Sequence, residues 1–130
     1  MRKDDGIPQI CDVVDCLGVR SDGKHADVFP DGEGRIAPGA GGMSVSVHDA
    51  RAIPRWRLPL KFGGENKNPL CTVWVLASDA LHLDLVHRED DPYADGSIHA
   101  QVEPRAPMML THYSDCLASS QVDWHEAPQP

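Results

Sequence analysis

Residues 98–104 read Ile98-His99-Ala100-Gln101-Val102-Glu103-Pro104, an apolar/polar alternation closed by a proline. Successive side chains of an extended strand point to opposite faces. The pattern therefore predicts a strand with Ile98, Ala100 and Val102 turned one way and His99, Gln101 and Glu103 the other. Pro104 lacks the amide that a ladder needs and ends it. Residues 43–48 repeat the alternation, with Val45 and Val47 set against Ser44, Ser46 and His48. Residues 70–77 (LCTVWVLA) are apolar on both faces, which predicts a central strand.

Helical spacing follows these strands. Pro107 suits a first helical position, and Met109, Tyr113, Cys116 and Leu117 then share one face. Residues 10, 13, 14 and 17 are also apolar at helical spacing, although their β-branched content leaves a strand open. Ser78 and Asp79 can cap a short helical turn, and the alternating Leu81, Leu83 and Leu85 offer a strand beside it. The connections are a turn at 21–24, a short strand at 26–29 stopped by Pro30-Asp31-Gly32, and a glycine-rich loop at 34–42. A long Pro/Gly/Arg-rich segment at 50–68 and a polar loop at 89–96 complete them. With no internal repeat and no boundary, the expectation is one α+β domain over residues 1–130. It has a small antiparallel or mixed sheet, one or two short helices, and loose ends at about 1–7 and 125–130.

An apolar share of 41% in 130 residues can build a core without a staple. Twenty acidic against twelve basic residues leave a net charge of −8, which repels a phosphate backbone and disfavours a nucleic-acid partner. Arg51, Arg55, Arg57 and Lys61 could still hold one small anion. The longest apolar run, 70–77, falls far short of the roughly 20 residues of a membrane helix. Residues 1–6 are charged and no apolar run follows, so a cytoplasmic, reducing setting is expected, with no disulfide among Cys11, Cys16, Cys71 and Cys116. Cys11 and Cys16 lack the CxxC spacing of a redox or zinc pair, and Cys71 and Cys116 read as core. His82, Asp84 and His87 match no closed zinc set and read as surface groups, so no metal is expected. Trp56 and Trp74 read as core or sheet-packing residues.

The polar faces of the two alternating strands could carry chemistry. Hydroxyls, an imidazole, an amide and a carboxylate fix and polarise polar ligands; an antiparallel sheet also commonly turns such residues to water. The order Arg20, Ser44-x-Ser46, Gln101-x-Glu103 resembles the arginine, serine, glutamate pattern of one class of ADP-ribosyltransferases. That resemblance implies NAD as substrate, its phosphates on Arg20, its nicotinamide site braced by Ser44 and Ser46, and a Gln-x-Glu motif in which Gln101 binds the cofactor and Glu103 is the catalytic carboxylate. A carboxylate there stabilises the oxocarbenium character of the breaking nicotinamide–ribose bond.

A longer resemblance covers about residues 36–112. Ala37-Pro38, Gly41-Gly42-Met43-Ser44-Val45, the following Leu-Pro, and His99 with Pro104, Pro107 and Met108 are similar to type VI secretion effector toxins with an ADP-ribosyltransferase-like fold. In that family a Thr-Ser pair after the glycines and the later histidine are tied to toxicity. Ser44 and His99 stand at those positions, and Met43 replaces the threonine. The resemblance implies a toxin acting in a target cell's cytoplasm, a cognate immunity protein as partner, and His99 as the alternative catalytic group to Glu103. A non-catalytic binding or interaction module on the same scaffold is the other reading.

Overall fold

A computed structural model describes residues 1, 3–4, 6–11, 16–23, 26–47, 53–89 and 99–130. Its strands are short: β1 (Lys3–Asp4), β2 (Ile7–Pro8), β3 (Arg35–Ile36), β4 (Met43–Ser46), β5 (Trp74–Val75), β6 (Leu85–Glu89), β7 (His99–Pro104), β8 (Met108–Met109) and β9 (His125–Glu126). One α-helix, α1 (Leu110–Ser119), follows β8. The described residues form a small α+β molecule of a few antiparallel sheets and one α-helix. Among the described residues no helix is long and apolar enough to cross a membrane.

The two alternating segments meet in the largest sheet, of order β4-β7-β6. Ser44 pairs with Gln101 and Ser46 with His99, while Met43 pairs with Val102 and Val45 with Ala100. Directly opposed residues share a face, so this register collects the polar side chains on one side and the apolar ones on the other. Ala100 and Val102 are fully buried, as their parity requires. His48 and Ile98 lie outside the described residues.

Helix α1 closes the core from the opposite direction. Tyr113, Cys116 and Leu117 pack in one cluster with Leu17, Val28, Ile36, Leu85 and Val102. The Tyr113 hydroxyl accepts the Met43 amide at 3.0 Å and donates to the Val102 carbonyl, which pins the helix to both β4 and β7. Burial pushes the Tyr113 phenol up, so it remains a donor at neutral pH. The helix begins at Leu110 rather than Pro107, because Met108 and Met109 first pair with Ile36 and Arg35. Met109 is consequently half exposed, not on the buried face.

Several expectations are corrected. Residues 70–77 form no central strand: only Trp74 and Val75 are in a ladder, and their partner is the chain end at β9. Within this run Cys71, Thr72, Val73 and Trp74 are buried, and Met1 bonds to two of them. The Met1 ammonium donates to the Thr72 carbonyl at 3.0 Å, and the Thr72 amide and Trp74 indole both donate to the Met1 carbonyl. Cys11 and Cys16 form a disulfide, their Cα atoms 5.4 Å apart, within the span that a bridge requires. The Ile10–Leu17 pairing brings them together, and residues 12–15 of the expected helix lie outside the described part. Trp56 is exposed rather than core. In the 50–68 segment, Leu58 and Phe62 build a second small core with Val73.

Candidate functional site

The polar face of β4 and β7 splits into two environments. The first is a cleft of about 680 Å³, within the range of small-molecule sites. Met43, Ser44, Val45, Ser46 and Val47 all line it. Among the described residues β4 lies at the edge of its sheet, where residues of both parities can border a cleft. His99 and Arg20 also line it, as do residues 72–78 across from β4. Arg20, Ser44, Ser46 and His99, scattered over the chain, thus meet at one cavity. Gln101 and Glu103 are not among the described lining residues.

Two glycines set the approach to Ser44. Gly41 has a φ of 93°, a left-handed conformation that L side chains rarely adopt, and a Cβ there would strike the Asp27 carbonyl. A Cβ on Gly42 would strike the Val102 carbonyl. A side chain at Gly42 would push the entry to β4 away from β7, and one at Gly41 would push it away from residues 27–28, which is the structural reason for the paired glycines before Met43.

Glu103, expected as the catalytic carboxylate, occupies the second environment and is not among the described residues lining the cleft. Its residue is 4% exposed. Arg88, opposite Gln101 on β6, holds it in a bidentate pair, Nη2 to Oε2 and Nε to Oε1, each 3.0 Å. The Gly39 amide donates to Oε2 at 3.1 Å, so the glycine-rich loop covers the carboxylate. A carboxylate so engaged fastens loop to sheet and does not face a ligand. Arg88 belongs to no motif, and only the β6–β7 register places it beside Glu103.

Arg20 lines the cleft together with Asp27. Its amide donates to Asp27 Oδ2 at 2.8 Å, and its guanidinium reaches the same carboxylate at 3.4 Å through Nε and through Nη2. A guanidinium carries five N–H donors, so these two contacts leave capacity for an anion. Arg57 lines the cleft, whereas Arg55 pairs with Glu65 at 3.3 Å. Arg51 lies outside the described residues.

Two further residues line the cleft that sequence reading did not assign to a site. Thr72 is 2% exposed, and its hydroxyl is a buried polar atom with no hydrogen-bond partner among the described residues. Such an orphan costs roughly 1–3 kcal/mol unless a ligand or water satisfies it. His87 also lines the cleft, from β6. Neither sits in a motif; Thr72 was hidden in an apolar run. His82 and Asp84 lie elsewhere, beside His112 and Cys116 of α1.

Comparison of the chain with protein-family models, with curated proteins and with solved structures gives no match.

Proposed function

We propose that the protein is an NAD-binding, ADP-ribosyltransferase-like toxin domain that acts in the cytoplasm of a target cell and is neutralised by a cognate immunity protein. The observation that carries this reading is the meeting of Arg20, Ser44, Ser46 and His99 at one cleft. These are four of the residues that the resemblance ties to NAD and to toxicity. In this reading Arg20 takes the pyrophosphate, the two serine hydroxyls hold the nicotinamide amide, and Thr72 finds its missing partner in the ligand. With Glu103 engaged by Arg88, the reacting ribose is served by His99. A neutral imidazole accepts a hydrogen bond from a ribose hydroxyl and so favours positive charge growing on the ring.

Glu103's engagement also supports the second reading, a binding module on the same scaffold without catalysis, since the one carboxylate among the described cleft-lining residues, Asp27, is already held by Arg20. One set of measurements separates the two: NAD binding by calorimetry, nicotinamide release, and growth of bacteria expressing the chain. The toxin reading expects binding, turnover and growth arrest, with the last two lost in His99→Ala and Ser44→Ala. Binding without turnover or arrest establishes the module. No binding of NAD by the folded chain overturns the NAD assignment.

A further inference from the structure

We infer a zinc-class metal site, built by His82 and Asp84 of the segment before β6 and by His112 and Cys116 of α1. His112 and Cys116 are four residues apart and so present side chains on one helix face. Asp84 Oδ2 lies 3.0 Å from His112 Nε2 and 3.8 Å from His82 Nδ1, and Cys116 Sγ lies 3.5 Å from His112 Nε2. Ligating atoms of His82, Asp84 and Cys116 all fall within 4.8 Å of one another. Zinc bonds to nitrogen, oxygen and sulfur run about 2.0–2.3 Å, so neighbouring ligands on a tetrahedron stand about 3.3–3.7 Å apart. The observed separations of 3.0, 3.5 and 3.8 Å straddle that edge length.

The donor set points to the class of ion. Two imidazoles, one carboxylate and one thiolate suit borderline-soft zinc, whereas magnesium and calcium take oxygen ligands. The backbone reinforces the placement. The Asp84 amide donates to His82 Nδ1 at 3.1 Å, a contact that sets the ring beside the carboxylate and that the metal replaces if Nδ1 is the ligating atom. The two imidazole rings meet edge to face with centroids 6.1 Å apart. A hollow of about 250 Å³ against Asp84 and His112 gives an ion access from solvent. Arg105, the cation in that hollow, is tethered by its Nε to the Leu83 carbonyl at 2.9 Å. Four protein ligands make a closed, structural site. It clips α1 to the segment entering β6 and is separate from the cleft.

The test titrates the chelator-treated full chain with cobalt(II), whose tetrahedral thiolate complexes have a charge-transfer band and characteristic visible bands. The wild type should show these bands, saturating at one equivalent, lose them on zinc addition, and gain thermal stability with zinc. His112→Ala changes an exposed side chain and should fold, yet weaken binding by well over about tenfold. Asp84→Asn provides a second variant, and Cys71→Ser should keep the bands. Absence of a thiolate–cobalt band in the wild type, or cobalt binding alike in wild type and His112→Ala, overturns the site and leaves an Asp84–His112 hydrogen bond.

Discussion

Arg88→Met keeps the aliphatic stem of the side chain and removes the guanidinium, which isolates its contribution to Glu103. The carboxylate side chain is 5% exposed and the arginine 55% exposed. Exposed pairs contribute about 0.2–1 kcal/mol, and breaking a buried pair costs about 3–5 kcal/mol because a desolvated charge is left behind. A buried acid facing a half-exposed base belongs between these limits, so Arg88→Met should destabilise by about 2 kcal/mol. Glu103→Gln removes the stranded charge. The double variant should therefore recover part of the loss, with a coupling of about 1–2 kcal/mol in a double-mutant cycle. Urea denaturation of the four proteins measures it. Additive effects, or a loss below about 0.5 kcal/mol in Arg88→Met, a size ordinary for surface substitutions, would refute the buried-pair reasoning.

Tyr113→Phe leaves the buried Met43 amide without its acceptor and should cost about 1–3 kcal/mol in the same denaturation assay; a loss under about 0.5 kcal/mol would contradict the pinning role. Thiol titration of the unfolded, unreduced chain should count two reactive cysteines, Cys71 and Cys116, whereas four would disprove the Cys11–Cys16 bridge. The amides of Arg35 and Glu33 donate to the Asp31 carboxylate and hold its pKa below the ordinary value of 3.8. A depressed acid stabilises above its unfolded pKa, and that contribution is lost as pH falls through the folded one. The Arg35 and Glu33 amide resonances should thus titrate with a midpoint below pH 3.8, and Asp31→Asn should abolish that transition; a higher midpoint would refute the assignment.

Sequence alone determined what depends on neighbours along the chain. The period of two in 43–46 and 99–103 dictates which side chains share a face, and the observed register joins Ser44 to Gln101 and Ser46 to His99. The spacing of Tyr113, Cys116 and Leu117 likewise dictates the buried face of α1. The α+β class followed from those two periodicities. Tertiary structure decided what depends on segments far apart in sequence. Met1 bonds to Thr72 across 71 positions and Val73 packs with Leu58 and Phe62, so residues 71–74 are buried without being a central strand. Gly39 reaches Glu103 across 64 positions, and Arg88 meets it through a strand whose register no motif encodes. Those two contacts removed the carboxylate from the cleft that its parity had suggested. His82 and Asp84 join His112 and Cys116 for the same reason. Periodicity reports the side on which a residue lies, because that is a property of local backbone geometry. The charge, hydroxyl or ring waiting on that side is set by how distant segments pack.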